Sequence, residues 1–171
     1  GNKYENSQKL KPYSPIKNNI KDFFDAGFRY NNSVSFNGAT DKSEYYVSFS
    51  QISDDGMVPT DADSYDKYTF SARGSHKVKA LTFSSSLNYS YQKNKFATTG
   101  QGLTMLNSLY QTPRDVSIIS LQDQNDIFNS PGYFYTPYGV MNPYYILENY
   151  LNEYDAERFY GKFQVDYDFL K

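Results

Sequence analysis

The sequence predicts an all-β chain of antiparallel strands, and three observations carry that prediction. Five segments alternate apolar and polar residues with a period of two. No apolar run approaches the roughly 20 residues that a membrane-spanning helix needs. The connections between the segments run short and long in turn. Alternation turns successive side chains to opposite sides, so each segment contributes to a sheet with one apolar and one polar surface. In a soluble protein the apolar surface would be a core. In an outer-membrane barrel it meets lipid, and the polar surface lines the interior.

The elements follow in order. Residues 1–31 read as a lead-in or extracellular loop. Residues 33–39 place Val34, Phe36 and Gly38 against Ser33, Ser35 and Asn37, and residues 44–51 place Tyr45, Val47 and Phe49 against Tyr46, Ser48 and Ser50. Residues 67–73 set Tyr68, Phe70 and Ala72 against Thr69, Ser71 and Arg73. The fourth segment, LTFSSSLNYSYQ at residues 81–92, alternates along its whole length. Residues 32–92 therefore read as two hairpins of barrel strands. TDKS (40–43) and GSHKVK (74–79) are tight turns, whereas ISDDGMVPTDADSYD (52–66) and residues 93–158 are long loops. Short turns on one side and long loops on the other are the pattern of hairpins crossing a membrane, with the short turns periplasmic.

Within the longest loop, GLTMLNSLYQTP has Leu103, Leu106, Leu109 and Tyr110 near helical spacing, with Pro113 to stop it. NPYYILENYL offers Asn142 as N-cap and Pro143 at the first helical position, with Ile146, Leu147, Tyr150 and Leu151 as an apolar stripe. The last strand, residues 159–169, turns Phe159, Phe163, Val165, Tyr167 and Phe169 one way and Lys162, Gln164, Asp166 and Asp168 the other. The fold class is thus part of a transmembrane β-barrel, with short helices in long extracellular loops.

Composition narrows the function. Aromatic residues make up 19% of the chain, with 19 Tyr, 13 Phe and no Trp, while the mean hydropathy is a polar -0.74. That combination suits strands in which only every second residue is apolar. A net charge of -2, with cations scattered among acids, excludes a nucleic-acid footprint. Without cysteine there is no disulfide framework and no thiolate metal site. The absence of an initiating Met and of a signal-peptide pattern leads us to expect a processed or partial polypeptide.

DFFDAGFRYNNSVSFNGATDKSEYYVSFSQISDDGMVP (22–59), YTFSARGSHKVKALTFSSSLNYSYQ and NPYYILENYLNEYDAERFYGKFQVDYDF resemble, in collinear order, the barrel portion of the SusC/RagA family of TonB-dependent outer-membrane transporters. The resemblance implies a multi-pass β-barrel in the outer membrane of a Gram-negative bacterium, closed by an N-terminal plug. It further implies import of oligosaccharides or peptides with a SusD-like surface lipoprotein, energised by TonB through the plug. No plug segment is recognised here and five strands cannot close such a barrel. On this resemblance the chain is a fragment, and no cofactor, metal or enzymatic step is expected.

Candidate sites follow. His76, the lone histidine, reads as a residue of a solvated turn rather than a general base, because no partner or pocket is evident. The acids Asp54, Asp55, Asp61 and Asp63 could offer oxygen ligands to Ca²⁺, and Asp123 with Asp126 less so, but the spacing of a specific loop is missing. Tyr133, Phe134, Tyr135, Tyr138, Tyr144 and Tyr145 fall in one loop, where their rings can stack on a ligand, pack against the lipoprotein or fill the loop itself. On the strands, Leu81, Phe83, Leu87 and Tyr89 are expected to face lipid. Tyr45, Tyr68, Tyr91 and Phe159 suit an interfacial aromatic girdle. Ser84, Ser86, Asn88, Lys162, Gln164 and Asp166 are expected to face the lumen. The competing reading is a secreted, soluble β-sandwich that binds glycans through its tyrosines.

Overall fold

In the computed structural model, residues 12–129, 131 and 141–169 are described. The chain divides into a sheet unit (28–55, 64–94 and 153–171) and a loop unit (1–27, 56–63 and 95–152).

The sheet unit is built on a single five-stranded sheet, β1 (Phe28–Ala39), β2 (Ser43–Asp55), β3 (Ser64–Val78), β4 (Leu81–Ala97) and β5 (Leu151–Tyr167), in that spatial order. It is the all-β architecture that the two-residue period predicts, and the sheet is open rather than closed. β1 and β2 pair antiparallel with Val34 opposite Phe49 and Asn37 opposite Tyr46, and β2 and β3 pair antiparallel with Phe49 opposite Phe70 and Tyr46 opposite Arg73. The register keeps apolar beside apolar and polar beside polar across the strands, since a slip of one residue would exchange the faces.

The strands run further than the alternation suggests. β2 and β3 continue to Asp55 and from Ser64, so the long loop at 52–66 contracts to residues 56–63. β3 also continues to Val78, which leaves Lys79 and Ala80 as the turn into β4, with Lys79 at φ 56. His76 is therefore a strand residue, not a turn residue. It lies opposite Ser43, whose Oγ is 2.7 Å from its Nδ1. The polar residues at these strand ends hid the pairing, because backbone ladders extend through any side chain that tolerates an extended backbone. The β1–β2 turn is closed by Thr40, whose N–H donates to the Ser43 carbonyl at 2.7 Å and whose Oγ1 accepts from the Ser43 N–H at 3.1 Å.

In the loop unit, helix α1 (Met105–Gln111) starts at Thr104, whose hydroxyl accepts from the Asn107 N–H, and helix α2 (Pro143–Asn149) starts at Asn142, whose side chain accepts from the Tyr144 N–H. Pro143 takes the first helical position, as expected, where its missing N–H costs nothing. The core of this unit gathers Phe23, Ala62, Met105, Leu109, Ile118, Leu121, Ile146 and Leu147. The α1 stripe is narrower than its spacing suggests, because Leu109 is buried whereas Tyr110 is exposed. On α2 the buried face holds Tyr144, Ile146 and Leu147, and Tyr150 points to solvent.

Buried side-chain amides tie the irregular segments of this unit together. Asn142 Nδ2 donates to the carbonyls of Leu121 and Asn129 at 2.7 and 2.6 Å, and Asn129 Nδ2 donates to those of Ser120 and Asp123. Asn19 clamps a distant strand of loop, donating to the Val116 carbonyl and accepting from the Ile118 N–H. Loop backbone packed away from water must find such partners. Among the described residues no helix is long and apolar enough to cross a membrane.

Candidate functional site

The sheet carries two surfaces of opposite chemistry. On the polar one, β1 places Ser33, Ser35 and Asn37, β2 places Tyr46, Ser48 and Ser50, and β3 places Thr69, Ser71 and Arg73 in register. β4 joins them through Asn88, whose Oδ1 accepts from the Ser71 hydroxyl at 2.9 Å. Ser84 and Ser86 fall on the same side by alternation. They line a depression of about 700 Å³ with Asn37, Glu44, Tyr46, Arg73, Lys162 and Gln164 among others. The Arg73 guanidinium carbon sits 4.7 Å from the centre of the Tyr46 ring, a cation held over an aromatic face. Gln164 donates to the Asp166 carboxylate at 2.8 Å, so these two share that side of β5. Thus Ser84, Ser86, Asn88, Lys162, Gln164 and Asp166, grouped by alternation, do share one face.

The opposite face is apolar and exposed. Phe36 and Phe163 leave 66% and 71% of their surface uncovered, and Phe83 and Leu87 are exposed as well. At the end of this face nearer the long connections, a row of phenols crosses the sheet. Gln51 Nε2 donates to the Tyr30 and Tyr68 hydroxyls at 3.3 and 3.4 Å, and the Tyr68 and Tyr91 rings stack with centres 6.5 Å apart. Tyr91 and Tyr89 donate their hydroxyls to Asp155 and Glu157. Of the residues singled out as a girdle, Tyr68 and Tyr91 meet in this row. Tyr45 lies toward the short-turn end, its ring across Gly38 of β1.

No protein-family model matches the chain, and no curated protein matches it. The geometry therefore carries the functional reading.

Of the six loop aromatics, Tyr133, Phe134, Tyr135 and Tyr138 lie outside the described residues. Tyr144 is buried, its ring edge-on to Phe23 with centres 5.2 Å apart, so its faces serve the core of the loop unit. Burial, and after it the Asp25 carboxylate, raises the Tyr144 phenol above its ordinary pKa. Tyr145 is half-buried and its ring neighbours that of Tyr150. Among the described residues no three acids or histidines gather as a metal site. Asp54 instead pairs with Arg29 at 3.5 Å, and Asp63 accepts from the Met57 and Val58 N–H groups to shape the 56–63 loop.

The Arg73–Tyr46 pair was not singled out from the sequence. Its signal was present in the parity of both residues, but the register that sets them side by side comes from pairing two segments separated by a loop.

Proposed function

We propose that this chain is a segment of the transmembrane β-barrel of an outer-membrane importer, of the SusC/RagA TonB-dependent type, in a Gram-negative bacterium. It contributes lipid-facing strands, a polar lumen wall and a folded extracellular loop unit. Transport of an oligosaccharide or peptide, docking of a SusD-like lipoprotein and energy from TonB belong to the whole assembly, and the segment performs no chemistry on what passes.

One observation carries the reading: the sheet's apolar face is covered by nothing, and every buried hydrophobic residue among those described lies in the loop unit. Burying one Phe or Leu side chain is worth about 1.5 to 3 kcal/mol, so a water-exposed face bearing Phe36, Phe83, Leu87 and Phe163 forgoes a large stabilisation. Soluble proteins rarely tolerate such a patch, whereas lipid satisfies it without a second layer of protein. The phenol row, with ring bodies on the apolar face and hydroxyls bonded to Gln51, Asp155 and Glu157, matches what a membrane interface selects.

The test is electrophoresis of detergent-extracted outer membranes, with and without boiling, probed with an antibody to this chain. A band that shifts on boiling and co-purifies with a lipoprotein is the expected result. A heat-indifferent band recovered without detergent would instead make the sheet part of a soluble glycan-binding module.

A further inference from the structure

The polar face is not evenly charged. Its acids stand at the two ends: Glu44 and Asp166 toward the short turns with Asp168, which is bound by Lys77 at 3.0 Å, and Asp54 at the far end, bound by Arg29. Glu44 shares the depression with Arg73 and Lys162, and from there to Asp54 alternation along β3, β4 and β5 presents Lys67, Arg73, Arg158 and Lys162 and no further carboxylate. Neither of those ion pairs, Arg29–Asp54 and Lys77–Asp168, uses these four cations. The floor between them is Ser84, Ser86 and Asn88, short side chains that offer hydroxyl and amide groups without filling the depression. Arg73 is already oriented by the Tyr46 ring, which lowers the ordering cost of its next interaction.

From this arrangement we infer that the strip from Lys67 to Lys162 is a binding track for an anionic oligosaccharide, one bearing carboxylate or sulfate groups. The inference rests on the importer reading and names the substrate class for its polar wall. Guanidinium and ammonium groups recognise such anions, hydroxyl and amide side chains match sugar hydroxyls, and Tyr160, exposed and on this side by alternation, offers a ring for a pyranose. Cations on a concave polar wall also raise the local concentration of an anion, an effect that weakens with salt.

The experiment measures binding of a fluorescent galacturonate tetrasaccharide to outer-membrane vesicles holding the full-length protein, against the neutral galactose tetrasaccharide and an acidic tetrapeptide. The acidic sugar is expected to bind about tenfold more tightly than the neutral one. Arg73→Gln with Lys162→Gln should abolish that preference, and raised salt should do the same. A sulfated tetrasaccharide competing equally well would mark charge rather than the uronate as the determinant, in keeping with the inference. Equal binding of acidic and neutral sugars, binding of neither, or preference for the peptide would overturn it. Reaction of Leu87→Cys with a lipid-soluble maleimide runs in parallel. Loss of that reaction with the preference intact would fell the membrane reading alone.

Discussion

Asn142 donates its side-chain amide to the Asn129 carbonyl at 2.6 Å while capping α2 at the Tyr144 N–H, so one buried side chain holds a helix start and two stretches of loop. Replacing it with Leu keeps the branched shape and heavy-atom count but strands the Leu121 and Asn129 carbonyls and removes the cap. The cap is worth about 1 kcal/mol and each stranded group about 1 to 3 kcal/mol. Asn142→Leu should therefore destabilise the loop unit by about 3 kcal/mol or more. Hydrogen exchange would register this as lost protection in α1 and α2 with the β1–β3 amides unchanged, and equal loss in both units would refute a local role.

Neighbouring residues on β4 should respond oppositely to the same charge. Leu87→Arg puts a cation on the apolar face and is expected to cost about 2 to 4 kcal/mol near the bilayer midplane. Ser86→Arg puts it on the polar face, where the cost should be much smaller and arise from Arg73 and Lys162 nearby. Urea titration in lipid vesicles compares the two. Equal losses would argue that the faces are not in different solvents.

Gly161 leaves room for the neighbouring backbone. A Cβ there would stand 2.9 Å from the Ser86 carbonyl oxygen, a main-chain atom that cannot rotate away. Gly161→Val should push β5 off β4 and destabilise the sheet by about 1 to 3 kcal/mol. Thermal unfolding of the heat-modifiable band measures it, with Lys162→Val as the control that leaves the main chain in place.

Tyr144 supplies a pH dependence. Its phenol is raised by burial and by Asp25, so its folded pKa exceeds its unfolded one. The associated stability is fully present below about pH 10, the unfolded value, and is lost as pH rises through the folded pKa. Proteolysis of the loop unit should accelerate above about pH 10. Tyr144→Phe should blunt that acceleration, and an unaltered profile would assign it to other groups.

Much of the sheet was legible beforehand. The two-residue period located all five strands and sorted their faces, because a strand's geometry is local and its pattern survives in any context. Helix α2 was legible for the same reason, since Asn142 and Pro143 are local start signals. Strand ends were not. Asp55, Ser64 and His76 carry no apolar signal, and they are strand residues only because a partner strand extends alongside.

The division between sequence and tertiary structure is therefore physical. The sequence by itself determined the alternation, the turn at Thr40, the helix caps and the charge on each face, all set by neighbours within a few residues. Only the tertiary structure decided that Tyr144 is a core residue and that Arg73 rests on Tyr46. It alone also decided that the loop unit holds the buried core while the sheet's apolar face stays uncovered. Those outcomes depend on which segments meet across long stretches of chain, and hydrophobic burial, being non-directional, leaves no mark of its partner in the local pattern.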